Sequence, residues 1–129
     1  MPIVRIEDPV RRDAATRHAV TETVYRCLRE VFKVSDEELQ ARYHTYDPQD
    51  FRAPGDRDEF IQVEITVFKG RKLETKRQLY QAISQALSEQ LRISATSVLI
   101  LLKEHDAENW GMRGGQPACE IDFGYAIDI

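Results

Sequence analysis

The chain has 129 residues, a length that fits one domain with a core of two helices on a sheet. Hydrophobic residues make up 42% and charged residues 31%, an ordinary globular balance. The net charge of −4, from 18 basic and 22 acidic residues, argues against nucleic acid, whose partners carry a basic footprint. No apolar run approaches the ~20 residues of a membrane span, and no apolar stretch follows Met1–Arg5 as a signal peptide requires. Cys27 and Cys119 are too few for a disulfide framework. A cytoplasmic protein with reduced thiols is expected, without nucleic-acid or membrane partners, and with Cys119 as a small buried hydrophobe.

In chain order, residues 2–7 are short and rich in β-branched residues, and predict a strand. Val20, Val24, Cys27, Leu28 and Val31 recur at helical spacing and predict a helix over 13–32. A second strand is predicted over 41–46. Residues 52–60 form a charged connector with a Pro54-Gly55 turn. Ile61, Val63, Ile65 and Val67 alternate in a strand over 60–68. Leu79, Ile83, Ala86, Leu87 and Leu91 predict a helix over 74–91, and the apolar run from Val98 begins a strand over 98–104. Residues 111–117, with three glycines, read as a turn region. Cys119, Ile121, Phe123, Tyr125 and Ile127 alternate strictly and predict an edge strand that pairs with a neighbouring subunit.

The chain repeats itself. Residues 2–51 align with 61–110 without a gap, and eight of those 50 pairs are identical, Arg12/Arg71 among them. Each copy reads strand, helix, strand, which implies a parallel pair and a right-handed crossover. The predicted fold class is therefore α/β (α+β): two tandem β-α-β units forming a four-stranded sheet with two helices on one face. The second face would be bare, and a bare apolar face has to be covered by other subunits. One domain is expected over 1–129, with the connector, the loop and the C-terminal strand lying outside the repeat.

Familiar catalytic signatures are missing: there is no CxxC, HExxH, P-loop or GxSxG. His18, His44 and His105 have no metal spacing. Asp47/Asp50 and Asp106/Glu108 read as solvated turn acids. Pro2 is the unusual residue. Removal of Met1 would leave a secondary amine, both base and nucleophile. A primary α-amine titrates at about 7.7–8.0, and a proline amine is more basic. An apolar pocket beside arginines lowers that value, because desolvation and like charge both disfavour the ammonium. A base tuned towards neutrality suits general base catalysis. The bland alternative is a proline that starts an edge strand, where its missing N–H costs nothing.

The Met-Pro start and the repeat together resemble the tautomerase superfamily, enzymes that use an amino-terminal proline on a β-α-β block. The phrase Gly70-Arg71-Lys72-Leu73-Glu74-Thr75-Lys76 resembles the family's Gly-Arg-x-x-x-x-Lys lead into a helix. The strand from Val98 to Glu104 resembles its second-strand pattern, and Asn109-Trp110-Gly111 its aromatic-Gly turn. The fused length with Trp110 is most similar to the malonate semialdehyde decarboxylase-like branch. The resemblance implies that Pro2 is catalytic, that Arg71 grips a substrate carboxylate in bidentate fashion, and that Trp110 walls the site. Lys69 stands where that branch has a second arginine, keeping the charge without the planar fork. Ala41 stands where it has a water-activating aspartate, and Gln40 and Leu99 align with the further arginine of the short tautomerases. Arg113, from the Gly-rich loop, and Arg42 complete the substrate-binding candidates.

The resemblance implies a homotrimer acting on a small carboxylate substrate without cofactor or metal. The expected activity is keto–enol tautomerisation of a small 2-oxo acid or its enol, with Pro2 as general base. Two alternatives stand beside it. One is a decarboxylase or hydratase in which Pro2 acts as general acid and Asp47, Asp50 or Tyr43 serves water. The other is a non-catalytic trimeric binding module, which follows if Met1 stays on.

Overall fold

The computed structural model describes residues 2–129; Met1, whose removal the catalytic reading requires, lies outside them. Six strands and two long helices follow in order: β1 (Ile3–Asp8), α1 (Ala14–Phe32), β2 (Gln40–Thr45), β3 (Ile61–Phe68), α2 (Leu73–Leu91), β4 (Val98–His105), β5 (Gly111–Met112) and β6 (Gln116–Pro117). The first four strands form one sheet in the order β2-β1-β3-β4. β1 runs parallel to β2, and β3 parallel to β4, as two crossover units require. The two units meet antiparallel through β1 and β3, with Ile3 opposite Thr66 and Ile6 opposite Val63.

The two units correspond closely. Both ends of α2 lie 59 residues beyond those of α1, and both helices end on a left-handed residue, Lys33 and Arg92. The 3-10 turns Pro48–Asp50 and Ala107–Asn109 keep the same offset. Their helix starts differ. Asp13 caps α1 by accepting from the Thr16 N–H at 2.7 Å. Lys72 offers α2 no side-chain cap; its own N–H donates to the Ile129 carbonyl at 2.9 Å.

Alternation builds the core. Val4, Ile6, Ile61, Val63, Ile65 and Val67 turn one way and pack under Val20, Val24, Leu28 and Phe32 of α1 and Leu79, Ile83 and Leu87 of α2. The opposite face is bare of helices, but it is not apolar. It carries Arg5, Glu7, Arg42, Gln62 and Glu64, with Lys103 paired to Glu64 at 3.1 Å. Its exposed apolar side chains lie on β4, where Leu99 and Leu101 are 45% and 43% exposed. The expected need to cover an apolar face therefore shrinks to the leucine margin on β4.

Within one chain the tail forms no strand; the expected pairing partner is a second subunit. Ala118–Glu120 is a 3-10 turn and no strand follows it. The period of two persists, since Ile121, Phe123, Tyr125, Ile127 and Ile129 are each half-buried between exposed neighbours. Phe123, Tyr125 and Ile127 pack onto their own chain, which forms no ladder with itself here, and Gly124 turns the backbone at φ 77°. Cys119 is exposed, not buried; Cys27 is buried. Among the described residues no helix is long and apolar enough to cross a membrane.

Candidate functional site

The antiparallel junction brings the start of β1 to the finish of β3. Ile3 lies opposite Thr66, so Pro2, one residue further out, falls beside Val67, and Val67 lies opposite Glu104. Pro2 is buried, and its carbonyl accepts from the Gln40 N–H at 3.4 Å. By strand alternation Pro2 shares the helix-facing side with Val4.

β3 delivers Arg71 to the same end. Gly70 precedes it at φ 143°, where a Cβ would lie 3.0 Å from Ile127 Cγ2. Arg71 is only 6% exposed. Its guanidinium lies 4.2 Å from the centre of the Phe32 ring, and Nη1 donates to the Phe68 carbonyl at 3.2 Å. Nε is buried and has no partner among the described residues. Burial pulls this guanidinium from 12.5 down to about 10, while Tyr125 and then Glu104 act to raise it. It remains a cation at neutral pH. Glu104 is engaged by Lys76 at 2.7 Å, which ties the first turns of α2 to the end of β4.

Trp110 packs edge-on against Phe68 at 5.1 Å between ring centres, and its buried Nε1 is likewise unpartnered. Arg113 sits in the β5–β6 turn at φ 49°, pinned by Glu38 at 2.7 Å and stacked 5.1 Å above the Phe123 ring. A cleft of about 480 Å³ is lined by Ile3, Glu38, Gln40, Trp110 and Arg113, and neither Pro2 nor Arg71 lines it. Arg71 lies under the tail, linked to Trp110 through Phe68. Lys69 is exposed, its backbone N–H bonded to the His105 carbonyl. Arg42 is exposed on the helix-free face and donates to Gln40 Oε1 at 2.8 Å, so it borders the cleft without lining it. A larger groove, about 700 Å³ between α2 and β4, holds none of these residues.

Sequence reasoning missed Tyr125, Glu38 and a buried cluster at the other end of the sheet. There Asp8 Oδ2 accepts from Arg12 Nε at 2.7 Å and from the Tyr43 hydroxyl at 2.5 Å, and Oδ1 accepts from the Val10 N–H at 2.9 Å. Burial and the Asp8 carboxylate both push the Tyr43 phenol strongly upward. The repeat offset pairs Arg12 with Arg71 and could have pointed to this cluster.

A family model described as tautomerase enzyme matches residues 40–113. The chain is similar to the solved structure of FG41 malonate semialdehyde decarboxylase inhibited by 3-bromopropiolate: 21% identity, TM-score 0.78, covering 89% of this chain and 92% of that one. It resembles a fused 4-OT wild-type symmetric trimer at 19% identity and TM-score 0.83, covering 91% and 96%. It also resembles N1, a member of the cis-3-chloroacrylic acid dehalogenase family, at 16% identity and TM-score 0.82, covering 95% and 85%. At these identities the structural likeness speaks for the fold, and the family match, spanning more than half of the residues, speaks for descent. The chain belongs to the tautomerase family.

Proposed function

We propose that the chain, as one domain, is a cofactor-independent keto–enol tautomerase acting on a small 2-oxo acid or its enol. With Met1 removed, Pro2 is a secondary amine in a buried site near a buried guanidinium, and both conditions favour the neutral base. Pro2 takes the enol hydroxyl proton and its conjugate acid returns a proton to carbon. Arg71 holds the carboxylate and Trp110 flanks the cleft. The observation that carries the reading is the orphaned Nε of Arg71, buried at the same sheet end as Pro2. A buried donor without a partner costs about 1–3 kcal/mol, which an arriving carboxylate relieves.

The test is ketonisation of phenylenolpyruvate by the processed protein. Pro2→Ala is expected to lower kcat/KM by ~10²–10⁴-fold, the usual worth of a general base. An unchanged rate sinks the proposal. Intact mass comes first: a retained Met1 makes Pro2 a tertiary amide and leaves a binding module.

A second reading has one specific support. Glu38 brings to the cleft the carboxylate that Ala41 lacks, although Arg113 holds it. With that acid serving water, Pro2 in its ammonium form would support decarboxylation or hydration of a short acid. Direct titration of Pro2 separates the two: a pKa well above neutrality favours the acid role. We further propose a homotrimer, as in the fused 4-OT relative, and sedimentation of the native protein tests it.

A further inference from the structure

Arg12 is an arginine whose anion slot is already filled by a buried carboxylate. Arg12 precedes Arg71 by 59 residues, and the residue four positions before each is Asp8 in the first unit and Val67 in the second. At Arg12, the fully buried Asp8 carboxylate is held by three donors: a guanidinium Nε, a phenol hydroxyl and a backbone N–H. At Arg71, valine supplies no carboxylate, and Nε is left alone. The phenol is missing from the second unit as well, because Leu102 stands where Tyr43 would be.

The tail brings a phenol to that place. Tyr125 packs against the core cluster that includes Phe32, the ring beneath the Arg71 guanidinium. Its neighbours in the alternating row are fixed on either side. Phe123 lies 5.3 Å from Phe68, Ile127 meets Gly70, and the Ile129 carbonyl accepts from Lys72. These contacts bracket Arg71 in sequence and in space. Tyr125 also feels the guanidinium: burial raises its phenol, and Arg71 is the strongest influence lowering it.

We propose that Tyr125 is a substrate-binding residue whose hydroxyl donates to the substrate carboxylate while Arg71 Nε donates from the other side. The substrate carboxylate is then held at Arg71 as the Asp8 carboxylate is held at Arg12. Because Arg71 Nη1 is spent on the Phe68 carbonyl, the grip is side-on, along the edge that carries Nε. This rests on the reading of Arg71 as the carboxylate holder.

The test is calorimetric binding of phenylpyruvate and of its methyl ester to wild type, Tyr125→Phe and Arg71→Ala. Tyr125→Phe is expected to weaken the acid about tenfold, the scale of one hydrogen bond to a charged group, and to leave the ester and the urea midpoint unchanged. If Arg71→Ala loses the acid and Tyr125→Phe keeps it, the inference about Tyr125 fails alone. If Arg71→Ala binds the acid as wild type does, or wild type does not bind it at millimolar concentration, the reading of Arg71 fails and takes this one with it. Equal losses of acid and ester in Tyr125→Phe would mark a packing role and also overturn the proposal.

Discussion

Arg71 is a cation kept out of water, with a ring and one carbonyl as its visible compensation. A cation over an aromatic face is worth about 2 kcal/mol when desolvated, less than a carboxylate would give. On the proposed reading such a group is retained for what it binds. Replacing a buried charge with an apolar side chain of similar length is often neutral or stabilising. Arg71→Met is therefore expected to melt no lower than wild type while losing kcat/KM by ~10–10²-fold, the cost of a charged hydrogen bond. A melting temperature that falls with activity would make Arg71 structural. Pro2, Arg71 and Trp110 were legible through short motifs and their neighbours were not, because a motif names a residue and not what faces it. Tyr125 was read in the tail without a role, since alternation says which residues share a face but not what that face meets.

At the scale of elements, the two helices start differently, and their pH behaviour should differ accordingly. Hydrogen bonds from the side chain and N–H of Thr16 hold the Asp13 carboxyl below its ordinary value. A depressed carboxylate contributes stability above its unfolded pKa and loses it as pH falls through the folded one. The gap in urea midpoint between wild type and Asp13→Ala should thus be full at neutral pH and close in acid, below the ordinary carboxylate range. A gap constant with pH would refute the cap. α2 depends instead on the tail. Deleting residues 128–129 should speed hydrogen exchange at the Lys72 amide and weaken carboxylate binding together, because the strap that holds Lys72 also covers Arg71. Element positions were readable within a residue or two, since apolar periods of 2 and 3.6 decide them. In the tail the period of two showed which residues share a face, but not that this face meets Phe68 and Gly70 of the same chain.

At the scale of the molecule, the helix-free face must serve the proposed trimer. Its charges are partly paired within the chain, as Lys103 is with Glu64, and the exposed apolar side chains are Leu99 and Leu101. Leu101→Glu should then yield a smaller species in sedimentation while the circular dichroism of the fold persists. An unchanged mass would move the interface elsewhere. Fold class and a bare face were legible because two crossover units leave no third layer. The polarity of that face was misjudged, since the outward row of each strand is interleaved with a more conspicuous inward one.

The filled slot at Arg12 has a consequence for counting. Two similar halves offer two places for a ligand, yet one half carries its own carboxylate on Asp8. Titration with a small 2-oxo acid should therefore saturate at one equivalent per chain. In the proposed trimer that makes three equivalents in place of six.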